Sequence, residues 1–216
     1  ILGVRLINGL GQHLKFGGEV MKNVAGYDLS RLSVGALGTL GILTEVSIKV
    51  LPIPEKEQTQ TIECSQAEAL NILVRLGRKP YPISAAAWID GVLSIRLSGA
   101  SSGVESAALA IGGETDANAD KFWLSLRDMT HDALNIEGKW LWRLSVAPTT
   151  PTDIVDAISF DWAGGQRWIR TDPNDYSPFE VASNVGGHAT CYAKDGLSGT
   201  GMQPLDSGIL RLNQRV

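Results

Sequence analysis

The chain has 216 residues, a formal net charge of −4, 44% hydrophobic and 19% charged residues, and 24 glycines. That is enough apolar material for one large or two small packed domains, and it argues against extended disorder. No block of Lys and Arg could neutralise a phosphate backbone, and no apolar run approaches the roughly 18–20 residues that span a bilayer.

In chain order, residues 4–18 read as a hairpin turning at Asn8-Gly9, the preferred pair for a two-residue turn. Asp28 is a candidate helix cap, because its carboxylate can accept a free N–H of the first turn. Leu29, Leu32 and Val34 follow at the spacing of a buried helix side. Gly35, Gly38 and Gly41 then recur every third residue, with Thr39 among them. From Ile42 the period becomes two, with Ile42, Thr44, Val46, Ile48 and Val50 on one face of a half-buried strand that stops at Pro52. Glycine admits close backbone approach and positive φ, and successive N–H groups in such a loop can hold an anion. The GxxGxxG spacing alone leaves both a ligand loop and a turn-rich connector open, since it matches neither a Rossmann turn nor a phosphate loop.

Pro52 and Pro54, among charged residues, mark a boundary, so 1–52 and 53–216 are the expected domains. In the second, residues 59–64 are a strand and Ser65 with Glu68 a capping box, opening a helix toward Arg78 with Ala69, Ile72, Leu73 and Leu76 inward. Strands over 84–89 and 92–98 join at Asp90-Gly91. Ser102 with Glu105 reads as a second capping box, for a helix stopped by Gly112-Gly113. A longer helix is expected over 116–135 and a strand over 140–146. A helix beginning over 152–158, strands over 159–163 and 167–171, a helix over 175–185 and a strand over 188–192 follow. A last helix is expected over 206–216. The second half repeats the order of the first without visible self-similarity, which suggests an α+β fold: an antiparallel sheet with helices on one side.

The block KNVAGYDLSRL followed by GTLGILTE resembles the later part of the FAD-binding domain of the vanillyl-alcohol-oxidase, or PCMH-type, FAD-linked oxidases, and within them the E-type subunits of bacterial glycolate oxidase. The resemblance implies a partial FAD-binding subdomain over 1–52, then a ferredoxin-like α+β cap over 53–216. It also implies that the earlier half of the flavin domain lies outside this sequence and that the last helix is cut partway. Gly35, Gly38, Thr39, Gly41 and Ile42 would face FAD, with Lys22, Asn23 and Tyr27 nearby. Ala36 stands where the family more often has serine. The implied activity is oxidation of glycolate, a 2-hydroxy acid, to glyoxylate. The implied partners are a flavoprotein D subunit and an iron–sulfur F subunit, on the cytoplasmic side and at the membrane's inner face through the complex. A non-catalytic assembly or electron-transfer subunit is the alternative.

Other chemistry is sparse. Cys64 and Cys191 lack CxxC spacing, so reduced thiols are expected. His13 and His131 are expected to be solvated. His188 sits where related 2-hydroxy-acid dehydrogenases place a metal motif, but the accompanying acid and second histidine are missing, so no metal is expected. Arg143, Arg167 and Arg170 could fork a substrate carboxylate or simply be solvated strand residues. The tryptophans are expected mostly in the cap core.

Overall fold

Val4 and Leu6, both buried, lie on the central strand of a small antiparallel sheet in the first of two units into which the chain divides. The computed structural model describes residues 1–18, 28–135, 137–192, 201–205 and 207–213. One unit comprises 1–53 with 205–216, the other 54–204.

In the first unit β1 (Gly3–Ile7) pairs with β2 (His13–Gly17) on one side and β3 (Ile42–Ser47) on the other. The β1–β2 reversal is a five-residue loop, not the expected two-residue turn. The Asn8 carboxamide oxygen accepts the N–H groups of Leu10 and Gln12, each at 3.0 Å, and Gly11 takes the positive φ. Asp28 caps α1 (Leu29–Leu32) as expected, accepting from the Ser30 N–H at 2.9 Å. That helix is a single turn. Ser30 is its buried residue, while Leu29, Leu32 and Val34 are exposed, contrary to the helical-face reading. Ile42, Leu43 and Val46 of β3 are exposed as well, so the strand is not half-buried. A period of two tells which side chains share a face; it does not supply the layer that covers them. α6 (Ser207–Asn213) groups with this unit.

The second unit is built on an eight-stranded sheet in which every pairing is antiparallel. Its strands are β4 (Lys56–Glu63), β5 (Ile83–Ile89), β6 (Val92–Gly99), β7 (Glu114–Thr115), β8 (Trp140–Ser145), β9 (Ser159–Asp161), β10 (Gln166–Thr171) and β11 (His188–Tyr192). Their order is β11-β8-β10-β9-β5-β6-β4-β7, which is palindromic. The halves β4-β5-β6-β7 and β8-β9-β10-β11 have the same connectivity and meet where β5 pairs with β9. With its helices this is the α+β arrangement expected from the alternating pattern.

In the first half, α2 (Gln66–Leu76) and α3 (Ser101–Ile111) pack on the same face of the sheet. α2 has the expected capping box from Ser65 and Glu68. With α3 it buries Ala69, Leu73, Val104 and Ala107 against Leu93, Ile95 and Leu97 of β6. The second capping box does not form. α3 begins after Ala100, and the Glu55 carboxylate, from a distant part of the chain, accepts the Ser101 N–H at 3.1 Å. Asp90-Gly91 makes the tight turn expected, both residues at positive φ. α5 (Ser177–Asn184) packs near Trp142 and Leu144 of β8.

Two expected helices are altered. The run 116–135 gives α4 (Ala119–Arg127) and a separate short 3-10 turn at Asp132–Leu134, because Met129 between them has φ +55. No helix forms over 152–158. Pro148 and Pro151 interrupt the chain there. The buried Arg167 guanidinium satisfies carbonyls that a helix would have bonded internally: Pro151 and Val155, each at 3.3 Å, and Thr150, besides Gly164 at 3.1 Å. Arg167 is therefore neither solvated nor free to bind a substrate.

α4 lies on the face opposite α2 and α3. Its Trp123 indole donates to Thr59 Oγ1 at 2.9 Å, and Thr59 is the register partner of Arg96, which alternates with the buried Ile95 and Leu97. The expectation of helices on one side thus needs this correction. It positions the site described next.

Candidate functional site

Within the first unit, the glycine segment follows α1 as a run of turns. Gly35, Leu37 and Gly38 have φ of 78°, 51° and 80°, and Gly41 has φ 141°. A leucine held left-handed costs about 1–2 kcal/mol, because its Cβ crowds the following carbonyl. Thr39 is turned inward on the loop, its hydroxyl donating to the Ala36 carbonyl at 2.7 Å. The N–H groups of Gly35, Leu37, Gly38 and Leu40 bond to nothing among the described residues.

The glycines are not equivalent. A Cβ on Gly35 or Gly38 would meet nothing within 4 Å, whereas one on Gly41 would lie 2.5 Å from the Ile7 carbonyl oxygen. Gly41 is needed by the fold, where its backbone passes β1. Gly35 and Gly38 leave an open surface bearing free donors, and Ile42 beside it is 70% exposed. Free N–H groups, absent side chains and an adjoining apolar residue fit the phosphate and ring portions of a dinucleotide such as FAD. Lys22, Asn23 and Tyr27 lie outside the described residues.

The second unit holds a cavity of about 760 Å³ on its α4 face. Its walls include Ile83, Ala85 and Arg96 from the sheet, Trp123 and Leu124 from α4, and Asp161 with Trp162 from the end of β9. Arg96 lies opposite Ala85 and Asp161 opposite Ala87, so two alanines of β5 separate the charged pair. The Arg96 guanidinium is held by Nε donating to Ser84 Oγ at 3.0 Å and by stacking 5.5 Å over the Trp123 ring. Its terminal nitrogens bond to nothing among the described residues.

Asp161 Oδ1 is buried without a hydrogen-bond partner. Burial pushes this carboxyl up to about 6, partly offset by the Trp168 side chain and the charge of Arg143. Immediately after it, Trp162 and Ala163 have φ of 50° and 55°. Two such residues store about 1–3 kcal/mol each, which persists only where surrounding structure imposes it. Trp162 is 79% exposed at the cavity rim.

Of the other residues singled out from sequence, Arg143, Arg170 and His188 all belong to strand positions alternating with the buried Trp142 and Ala189 and the half-buried Ile169. They share one face of neighbouring strands, Arg143 being in register with Trp168, two residues from Arg170, and with Thr190, two residues from His188, but each has its own partner. Arg143 stacks 5.6 Å from the Tyr192 ring, Arg170 donates to the Ala133 carbonyl, and His188 stands exposed opposite Ser145. His131 is not simply solvated: its Nδ1 accepts the Ala133 N–H at 3.2 Å and its ring meets Phe122 edge-on. His13 lies 3.2 Å from Thr44 Oγ1. Trp142 and Trp168 are buried, as expected of core tryptophans, but Trp162 is not. Both cysteines are free thiols. Among the described residues no three His, Cys, Asp or Glu side chains converge as metal ligands, and no helix is long and apolar enough to cross a membrane. Sequence reading missed Asp161 and Arg96, which are 65 residues apart and meet only through β5.

No family model matches the chain. It is similar over its whole length to glycolate oxidase subunit GlcE of Escherichia coli K12, at 42% identity over 218 residues. The chain spans 60% of that relative. Shorter matches include glycolate oxidase subunit GlcD of Bacillus subtilis, 46% identical over 59 residues, covering 27% of this chain and 13% of that protein. D-lactate dehydrogenase of Anaerostipes hadrus is 47% identical over 45 residues, 21% of this chain and 10% of that protein. The chain is thus similar from end to end to a GlcE-type glycolate oxidase subunit, and over shorter stretches to a GlcD subunit and a D-lactate dehydrogenase.

Proposed function

We propose that the whole protein is the FAD-bearing E-type subunit of a glycolate oxidase, oxidising glycolate to glyoxylate in a complex with a D-type flavoprotein and an iron–sulfur F-type subunit on the cytoplasmic side of the membrane. The observation that carries this reading is the 42% identity with GlcE along the full chain; the shorter match to GlcD supports the D-type partner. Bound FAD would supply the hydride acceptor for the C2 carbon of the 2-hydroxy acid. The chain's own residues bind and orient: the N–H groups of Gly35, Leu37, Gly38 and Leu40, unbonded among the described residues, would hold anionic oxygen, and Ile42 offers an apolar contact. Lys22, Asn23 and Tyr27 are proposed contributors to the same site, and Arg143, Arg170 and His188 weaker ones to substrate binding. The 1–52 and 53–216 segments are proposed as the end of the FAD-binding domain and the cap.

A second reading, a non-catalytic assembly or electron-relay subunit whose cap is a docking surface, draws on Leu109 and Trp162, 87% and 79% exposed on the second unit. Co-expression of the three subunits with and without this one separates the readings. Glycolate-dependent dye reduction that is restored by the wild-type subunit and not by a flavin-free Gly38→Val variant supports a flavin role. Full restoration by a flavin-free variant supports assembly.

A further inference from the structure

The cavity beneath α4 has three features in one place that a packed structural face does not need. The Arg96 guanidinium is fixed by Ser84 and Trp123, yet keeps its terminal nitrogens unbonded among the described residues. A buried carboxyl oxygen of Asp161 lacks a donor. Left-handed φ values at Trp162 and Ala163 hold the chain in a strained path at the rim. Around these groups Ile83, Leu124 and the Trp123 ring make an apolar wall.

We propose that this cavity is a binding site for an amphipathic organic acid, its carboxylate on Arg96, its hydroxyl or amino donor on Asp161, and its apolar body against Trp123 and Leu124. The pairing follows from what each group lacks. A guanidinium with free terminal N–H groups takes a planar carboxylate in two bonds. An unpartnered buried acceptor needs a donor, and leaving it unmade is costly. Pockets of several hundred cubic ångströms with mostly apolar walls and a few convergent polar groups are the usual form of small-molecule sites. The inference goes beyond the glycolate reading, because glycolate has no apolar body to cover these walls and fills little of about 760 Å³. Guanidinium, ring and carboxyl are already positioned, so little ordering cost remains on binding.

The test is calorimetric titration of the full-length protein with 3-phenyllactate, 3-phenylpropionate, which lacks the hydroxyl, and 1-phenyl-2-propanol, which lacks the carboxylate. Phenyllactate is expected to bind about tenfold or more tighter than either analogue, since phenylpropionate leaves one hydrogen bond unmade and the alcohol leaves the two to the guanidinium unmade. Arg96→Gln should erase its advantage over the alcohol, and Asp161→Ala its advantage over phenylpropionate. Equal affinity of the three probes for the wild-type protein overturns the proposal without need of any variant. So does phenyllactate binding that neither substitution changes, since the acid would then sit elsewhere. Flavin content and glycolate turnover are not read in this experiment, so its failure leaves the glycolate assignment standing.

Discussion

The backbone of Gly41 passes so close to Ile7 that a β-carbon there would lie 2.5 Å from the Ile7 carbonyl oxygen, far inside any normal contact. Gly38, three residues earlier in the same loop, faces open space. Both have positive φ, yet only one is required by packing. Gly41→Ala should therefore destabilise the first unit by about 2 kcal/mol or more, strain and clash together. Gly38→Ala should cost only about 1 kcal/mol, the backbone part alone. Thermal unfolding of the two variants checks this; equal losses would mean that the Ile7 contact is relieved by a small shift.

Arg167 gives a second prediction. Its side chain is fully buried and bonds four carbonyl oxygens, those of Thr150, Pro151 and Val155 in and just before the stretch where the pseudo-repeat lacks a helix, and that of Gly164 beyond it. Arg167→Met should lower stability by about 3 kcal/mol or more, since several buried acceptors lose their donor at once. Denaturant unfolding reads the loss. A variant of unchanged midpoint would show that water or a backbone rearrangement takes over the carbonyls.

Asp161 makes stability depend on pH. Its carboxyl titrates at about 6 in the fold against 3.8 for the free group, so the folded state holds a proton that the unfolded state has released. Stability is then full below about pH 4, falls as pH rises through about 6, and is level above. The ceiling is about 3 kcal/mol, from roughly two pK units at 1.36 kcal/mol each. Asp161→Asn should flatten this part of the profile and raise the melting temperature at pH 8. Parallel pH profiles for the two proteins would remove the burial argument.

Much of this fold was legible in the residues. Asp90-Gly91, Ser65 with Glu68 and the alternation Trp142-Leu144 each carry their structural reason locally, and each formed as expected. What failed depended on distant residues. Ser102 and Glu105 have capping-box spacing, but Glu55 already takes the first free N–H of α3. Residues 152–158 lack a helix, and Arg167, from another strand, bonds the carbonyl of Val155 within that stretch and of Pro151 just before it. The glycine loop was visible as a GxxGxxG run whose spacing alone left a ligand loop and a connector both open, whereas Arg96 and Asp161 share a cavity only because β5 lies between their strands. No window of sequence contains that relationship.

The second unit, 54–204, contains its own sheet, caps and hydrophobic clusters. Expressed alone it should unfold in one cooperative transition, because its local and long-range signals agree. Heating followed by near-ultraviolet circular dichroism reads this through its tryptophans. A gradual, non-cooperative loss of signal would mean that it needs the rest of the protein to fold.

Flavin content tests the central claim most directly. The full-length protein, purified and denatured, should release one FAD per chain, seen by its visible absorbance. Gly38→Val should remain folded by circular dichroism while losing most of that FAD, because its side chain enters the open space over the loop. A wild-type protein that is colourless and takes up no FAD on reconstitution, or a Gly38→Val protein that retains a full complement, would contradict the assignment of Gly35–Gly41 as the flavin-facing loop.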